Sequence, residues 1–262
     1  MGHSSMIWME VKQSLRNPVY YVTAIIYIIT FTLASIFQSG KDHSNMFQMN
    51  YALSIELLIV PLFILSIGSM TVAHHNETGW LKLLKTYPMR YSTYILSHYI
   101  TIVLLYSSML AISIVIGLVI GVYMNIIFIA LSLLMILIFS SIAVCIGIFS
   151  RHRLSAIGTA LCFWTLWLLI IPFCIIALND QLNRQMLYQT MVANIHLNPV
   201  DLIRMLYYFW TDQLALLGPG FYNYSNWLNG IGQYVLYINI VLYIVMPLCL
   251  SYIIMLKVRK SR

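Results

Sequence analysis

Few residues in this sequence could do chemistry, and the most informative of them is an acid within an apolar run. Glu56 lies about five residues inside a run that begins near Tyr51. If the run crosses a membrane, such an acid is costly and is by default a candidate proton or cation site. Snorkelling to the headgroups or pairing with a polar neighbour explains it equally well. His98, in a later apolar run, is either a proton relay or a hydrogen-bonded interior histidine.

A second pattern could bind a metal ion. His43, Met46 and Met49 follow one another at intervals of three residues, close to one helical turn, so they would share a helix face. Thioether sulfur suits Cu(I). Methionine is also an ordinary apolar residue, and the chain has 15 of them without a dense MxxM array. Transient copper binding and plain apolar packing both fit this cluster.

Sequence signatures of catalysis are absent. The chain contains no Walker A motif, no HExxH and no GxSxG. Its four cysteines form no CxxC or other metal or redox spacing. We therefore predict a protein that is not an enzyme and binds no cofactor of its own.

The composition indicates which elements position these residues. Of 262 residues, 61% are hydrophobic and 8% are charged, whereas a soluble domain has roughly 25% charged residues. A disordered chain is excluded too, because disorder needs few apolar residues. Long charge-free runs fit helices that satisfy their own backbone in ~30 Å of hydrocarbon. We predict an all-α membrane protein with one transmembrane domain over 1–262 and spans at about 19–37, 51–75, 93–120, 125–149, 155–178 and 232–256.

Spans three and four share one charge-free stretch, 91–150, and need a turn between them. Gly121 and Asn125 favour that turn. Ser113, Gly117 and Gly121 also form a small-residue stripe, which would permit close helix packing inside the protein or at a dimer seam.

The basic residues predict the orientation. Three of the 14, Lys41, Arg184 and Arg204, fall on one side of the six spans, and eleven fall on the other. The positive-inside rule then places both termini in the cytoplasm, in an inner (cytoplasmic) membrane. The net charge of +7 is thus a topology signal with some attraction to anionic lipid, and it gives no reason to expect nucleic acid. The eleven are Lys12, Arg16, Lys82, Lys85, Arg90, Arg151, Arg153, Lys257, Arg259, Lys260 and Arg262.

Two amphipathic pieces are expected on the cytoplasmic side. Residues 6–18 predict an interfacial helix in which Trp8 is the anchor, Lys12 and Arg16 lie near lipid phosphates, and Glu10 falls on the polar face. Residues 76–89 predict a short helix that Asn76 caps and Pro88 ends, with Glu77 in its first turn. This short helix has no cytoplasmic domain to pack against, so it either lies on the membrane or enters a groove on a partner. Its apolar side chains are Trp80, Leu81, Leu83 and Leu84.

A third amphipathic helix is expected on the outer side, before the last span. Asn198 suits its N-cap, Pro199 its first position and Asp201 its third, and the pattern continues through Arg204. Its aromatic residues suit headgroup depth. They are Tyr207, Tyr208 and Trp210.

This combination resembles the permease subunits of ABC-2 type transporters. The resemblance covers the whole chain. It rests on the interfacial helix ending in Leu15-Arg16-Asn17-Pro18, the six spans, and an acid, a Gly-containing turn, a Leu-rich stretch and a Pro at 77–88. More narrowly, Leu83-Leu84-x-Thr86-Tyr87-Pro88 and Leu197-Asn198-Pro199-x-Asp201-x-x-Arg204 are similar to the NosY-type permeases of the nitrous oxide reductase maturation system. Thr78-Gly79-Trp80 departs from the usual Gly-Gly-Thr-like turn.

The resemblance implies a homodimer, since six spans make half a translocation unit, and two copies of a separate ATPase subunit that holds ATP and Mg. Helix 77–87 would be the coupling helix. The residues implied in that contact are Glu77, Gly79, Trp80, Leu81, Leu84 and Pro88. The loop 179–231 would meet an extracytoplasmic accessory protein, and the transported species would be copper or a sulfur compound.

Other functions stay open at this point. An ABC-2 permease that exports a peptide, an antibiotic or a lipid would have the same elements. A cation-coupled secondary transporter would use Glu56 and need no ATPase. A membrane scaffold or sensor would transport nothing.

Overall fold

The computed structural model describes residues 3–38, 46–79, 90–122, 125–178, 181–214 and 218–260, and within these ranges the chain is helical with no strand. Two π-helical turns, Leu166–Ile170 and Leu228–Gly232, and a 3-10 turn at Pro219–Phe221 join consecutive pieces. The prediction of an all-α protein is confirmed. The helices are α1 (His3–Leu15), α2 (Pro18–Gln38), α3 (Met46–Glu77), α4 (Tyr91–Ile120), α5 (Ile126–Phe149), α6 (Arg153–Thr165), α7 (Ile171–Ala177), α8 (Arg184–Leu197), α9 (Pro199–Trp210), α10 (Tyr222–Trp227) and α11 (Gln233–Lys260).

Six stretches of the described chain are long and apolar enough to cross a membrane, which confirms the predicted number. The first five lie within a few residues of the predicted spans. The sixth begins at Tyr222 instead of about 232, because α10 and its π turn continue into α11. The six are Pro18–Ile36, Tyr51–Glu77, Tyr91–Ile120, Ile126–Phe149, Arg153–Ala177 and Tyr222–Lys257.

The chain divides into two compact units. Unit 1 comprises Met1–Leu161 with Ile244–Arg262, and unit 2 comprises Cys162–Tyr243. The single transmembrane domain over 1–262 stays a prediction.

The core of unit 1 is the close packing of α3 against α5. A side chain at Gly147 would meet the Cβ of Val72 at 2.6 Å and the carbonyl oxygen of Ser69 at 2.7 Å, so the two helices approach as closely as glycine permits. Helix α2 packs on both α3 and α4. The largest buried side chains of this core include Tyr27, Phe31, Leu57, Ile64, Phe128 and Phe139.

The predicted turn between spans three and four is confirmed at both of its ends. Helix α4 ends at Gly121, whose φ of 79° lies in the left-handed region. Helix α5 begins after Asn125, whose side chain accepts a hydrogen bond from the Ile127 N–H at 2.9 Å. A Cβ at Gly121 would meet no described atom within 4 Å, so this glycine ends a helix and does not extend the packing stripe.

Unit 2 contains the predicted outer helix. Helix α9 begins at Pro199 as expected, and its side chains Ile203, Leu206 and Tyr207 are buried. The π turn Leu166–Ile170 directly precedes the helix that carries Pro172, a residue that cannot donate to the helical hydrogen-bond ladder.

Candidate functional site

The candidate site lies at one end of unit 1, where α3 ends at Glu77 and α6 begins at Arg153. We call this the basic end. The Arg153 backbone N–H donates to Glu77 Oε2 at 3.1 Å, and the Arg153 Nε lies 3.5 Å from the same oxygen. The Arg153 guanidinium also contacts the ring of His74. Glu77 thus supplies a negative charge and an acceptor to the first turn of α6, whose N–H groups have no partner within the helix.

Asn76 closes the other side of the same connection. Its Nδ2 faces the carbonyl oxygens of Gly147 at 3.1 Å, Ile148 at 3.3 Å and Ser150 at 2.8 Å, where α5 ends. Two neighbouring side chains of α3 therefore hold the end of α5 and the start of α6. The expectation that Asn76 and Glu77 begin a new helix is wrong, because α3 continues through both of them.

Gly79 marks the exit of the chain from α3. Its φ of 73° is in the left-handed region, as expected for a glycine after a helix end. The remaining residues expected to contact the ATPase lie outside the described residues. They are Trp80, Leu81, Leu84 and Pro88.

Helix α1 brings the carboxyl group of Glu10 to the inside of the basic end. Trp8 is 63% exposed, and Lys12 and Arg16 are also exposed, so no described residue of unit 1 covers the expected lipid-facing groups. Glu10, expected on the polar face of α1, is 5% exposed and faces His75 of α3 and His98 of α4. Burial raises the pKa of Glu10 to about 7.

Glu56 lies deep in unit 1, away from the basic end. Its side chain is fully buried, which contradicts the snorkelling explanation. The carboxyl group faces the Ser132 hydroxyl, and Ser132 donates to the carbonyl oxygen of Phe128 at 2.8 Å. Because the Ser132 hydroxyl proton is donated to Phe128, neither Glu56 carboxyl oxygen has a hydrogen-bond partner among the described residues, and both the polar-pairing explanation and the candidate proton or cation site stay predictions.

The predicted copper cluster cannot be placed. His43 lies outside the described residues, and the side chains of Met46 and Met49 are also outside what the structure describes.

The outer motif of unit 2 forms a closed network around Asp201. The Asp201 carboxylate accepts hydrogen bonds from Asn194 Nδ2 at 2.6 Å, Asn198 Nδ2 at 2.8 Å and Arg204 Nη1 at 3.1 Å. Asn198 also accepts from the Val200 N–H at 3.0 Å and donates to the Trp167 carbonyl oxygen at 2.8 Å. Desolvation raises the pKa of Asp201 in spite of Arg204 and the two amides. The motif Asn-Pro-x-Asp-x-x-Arg thus forms the first turn of α9 and joins it by hydrogen bonds to Asn194 and Trp167. The predicted N-cap at Asn198 is confirmed.

Sequence reasoning missed three residues of the basic end. The sequence pattern indicates Arg153 only as a topology signal, indicates no role for His75, and predicts Glu10 on the polar face of the interfacial helix. Their partners lie on helices distant in sequence, so no local spacing indicated the contacts.

The fold is that of a helical membrane protein with several spans. In its described part, α3 is hydrogen-bonded to the end of α5 and the start of α6 shortly before residue 80 in the sequence. A comparison with known protein families matches residues 3–189 to the ABC-2 type transporter family. The chain belongs to this family, and it is therefore a membrane-embedded permease subunit of an ABC transporter. A comparison with curated proteins gives no match.

Family membership also settles the coarser functional alternatives. ATP hydrolysis in this family belongs to a separate ABC ATPase subunit, so the permease itself is not catalytic. A cation-coupled transporter without an ATPase, and a scaffold that transports nothing, do not fit this membership.

Proposed function

We propose that the segment 77–88 is the contact through which a partner ATPase drives this permease. The observation that carries the proposal is the position of Asn76 and Glu77. Asn76 directly precedes the segment and Glu77 is its first residue, and together they bind the end of α5 and the start of α6. A displacement of the segment would therefore act on three helices at once.

The chemistry of the connection suits such a role. Glu77 and Arg153 are both nearly half exposed, so as an ion pair they stabilise little. The pair instead fixes the position of α6 relative to α3, since the same carboxylate oxygen accepts a hydrogen bond from the backbone N–H of Arg153. Closure of two ATPases on ATP would pull or push this point, and the spans would repack. A homodimer would supply the second half of the pathway.

For the substrate, we propose a copper or sulfur species used in nitrous oxide reductase maturation. The support is the pair of motifs at Leu83–Pro88 and Leu197–Arg204, in which this chain resembles NosY-type permeases. The second of these motifs forms the Asp201 network in unit 2, which suits a rigid surface for an extracytoplasmic accessory protein.

The coupling contact is tested by Trp80→Ala combined with Leu84→Ala. We expect the variant to insert normally but to lose stimulation of the ATPase in reconstituted vesicles. A matched control removes two exposed apolar side chains at the opposite helix ends, Val119→Ala with Ile126→Ala, and should keep the stimulation. Unchanged stimulation in the Trp80/Leu84 variant would refute the contact.

The same variants test the substrate in a cell that makes nitrous oxide reductase. With the Trp80/Leu84 variant, the reductase should accumulate with its copper centres incomplete. With the control variant, its copper content should be normal. If deletion of the permease leaves the reductase copper content unchanged, the substrate proposal is wrong even where the ATPase result holds.

A further inference from the structure

Three side chains from three helices converge inside the basic end of unit 1. Glu10 comes from α1, His75 from α3 and His98 from α4. Glu10 Oε2 lies 3.6 Å from His75 Nε2 and 3.7 Å from His98 Nδ1, and the three candidate ligand atoms all lie within 4.8 Å of one another. The exposed fractions of the three residues are 5%, 3% and 2%. Such burial is unusual for a carboxylate and two imidazoles unless something compensates it.

The protein itself compensates this cluster incompletely. Within the described part of the chain, Glu10 Oε1 and His98 Nε2 have no hydrogen-bond partner. No described Lys or Arg nitrogen lies within 4.0 Å of the Glu10 carboxylate, since the nearby Arg153 is engaged with Glu77 and His74. A positive charge at the centre of the three groups would balance the carboxylate.

The distances indicate what kind of positive charge fits. A hydrogen bond from an imidazole N–H to a carboxylate would be about 2.7–3.2 Å, shorter than both observed separations. Two ligands that bind one ion tetrahedrally at about 2.0–2.1 Å are roughly 3.3 Å apart. The two separations from Glu10 are therefore a few tenths of an ångström too long, and the two imidazole nitrogens, which lie within 4.8 Å of each other, would also have to move together to complete a metal site. Rings that pack edge-on, His75 on His98 and His98 on Tyr94, hold the imidazoles in place.

Room for a further ligand exists on both sides of Glu10. One cavity of about 30 Å³ is lined by Glu10, His98 and Thr101, and another of about 40 Å³ by Glu10, His75 and Gln13. A water molecule needs roughly 10–15 Å³, so either cavity could hold the fourth ligand. Ser14 and Asn17 line both cavities and give a polar route towards the helix ends.

We propose that Glu10, His75 and His98 form a binding site for a divalent late transition-metal ion of the zinc type. Two imidazoles, one carboxylate and an open position are a ligand set that Zn²⁺ uses. Imidazole also suits copper, nickel and iron, and Cu²⁺ intrinsically binds such ligands more tightly than Zn²⁺ does. The ion would be resident in the protein and would pin α1 to α3 and α4. His75 directly precedes Asn76, so the ion would also stiffen the point where α3 holds α5. The proposal rests on unit 1 alone and is independent of the ATPase contact and of the transported substrate.

The experiment uses the full-length protein in mild detergent. It is stripped with a chelator, loaded with zinc sulfate and desalted, and its zinc content and zinc affinity are then measured. We expect one tightly held zinc per chain in the unaltered protein. Glu10→Gln and His98→Phe should each weaken the affinity by more than ~100-fold, because even partners outside the ligand shell are worth 10–100-fold. His152→Gln, which removes an exposed imidazole beside Arg153, should change nothing.

X-ray absorption of the zinc-loaded unaltered protein gives a test that does not depend on how well the variants fold. The expected spectrum shows nitrogen and oxygen neighbours at about 2.0–2.1 Å with imidazole scattering. Sulfur neighbours at about 2.3 Å would place the ion on cysteine and overturn the site. The proposal also fails if the unaltered protein keeps no more zinc than the variants, or if His152→Gln lowers the affinity as much as they do.

Discussion

At the scale of single residues, His196 shows how burial and hydrogen bonding select one protonation state. In unit 2, its Nδ1 accepts from Asn239 Nδ2 at 2.7 Å, so its Nε2–H is left to donate to the Tyr224 hydroxyl at 3.1 Å. Desolvation lowers the pKa of His196 below its ordinary value of 6.5. The neutral ring joins α8 to α10 and α11, and a second proton would turn Nδ1 into a donor facing an amide donor.

Lowering the pH should therefore destabilise unit 2 through His196. In the unfolded chain the ring takes up a proton below about pH 6.5, while in the folded chain it does so only at lower pH. The free energy of unfolding must then fall as the pH drops below 6.5, by up to ~1.4 kcal/mol per pH unit for this one group. We expect His196→Gln to flatten the dependence of the melting temperature on pH between 7.5 and 5.5.

Because protonation of other groups in the unfolded chain also changes stability with pH, the informative quantity is the difference between the unaltered protein and the variant. His152→Gln serves as the control, since its side chain is exposed. If the His196 and His152 variants melt with the same pH dependence as the unaltered protein, the neutral state of His196 contributes nothing to stability.

Residue-level prediction from the sequence worked where the partner is close in the chain. Asn198 caps the Val200 N–H two residues on, and its role followed from spacing alone. Glu10 and Asn76 have partners on other helices, so the polar face expected for Glu10 and the N-cap expected for Asn76 are both wrong. A buried polar contact carries no periodic signal, because it needs only one residue from each helix.

At the scale of elements, the close approach of α3 and α5 depends on which small residues face the neighbouring helix. Sequence reasoning identified the stripe Ser113, Gly117 and Gly121 of α4, yet Gly121 ends that helix with a positive φ. Ser113 and Gly117 of the stripe are buried, but the close approach to a neighbouring backbone is at Gly147, where a Cβ would lie 2.7 Å from the carbonyl oxygen of Ser69. The existence of a small-residue seam is thus predictable, while its location depends on helix rotation, which hydrophobic periodicity does not indicate in a helix that is apolar on all sides.

Gly147→Ala should destabilise unit 1. The new Cβ would lie 2.6 Å from the Val72 Cβ and 2.7 Å from a backbone oxygen, and neither of these atoms can move without shifting α3. Overpacking of this kind costs about 1–3 kcal/mol. Gly158→Ala in α6 is the matched control, because its Cβ would meet no described atom within 4 Å and alanine favours helix.

The melting temperatures of the two purified variants in detergent measure this difference. Gly147→Ala should melt below the unaltered protein, and Gly158→Ala at or slightly above it. Equal melting of all three proteins would show that α3 and α5 are farther apart than the distances at Gly147 indicate.

At the scale of the whole molecule, composition predicted the architecture because a lipid environment leaves few choices. In lipid, a chain with 8% charge must form the hydrogen bonds of its backbone N–H and C=O groups within helices. The charge-free runs then give the number of these helices. The start of the last span was less predictable, since Gly230 and Gly232 favour a turn but here lie within a π turn between α10 and α11. The few charged residues lie mostly between the spans, so their distribution over the two sides indicates the orientation of the chain in the membrane.

The orientation itself can be tested by labelling single cysteines. The four native cysteines are first replaced by serine or alanine, and one cysteine is then introduced at Lys41, Ala215, Lys85 or Arg262. With both termini in the cytoplasm, a membrane-impermeant thiol reagent should label positions 41 and 215 in intact cells. It should label positions 85 and 262 only after the cells are permeabilised.

The physical reason is the distribution of bases, eleven of which lie on the side of residues 85 and 262. Labelling in the reverse pattern would invert the orientation and would place segment 80–89 where no ATPase can reach it. Labelling of 41 and 215 from opposite sides would refute the six-span arrangement itself.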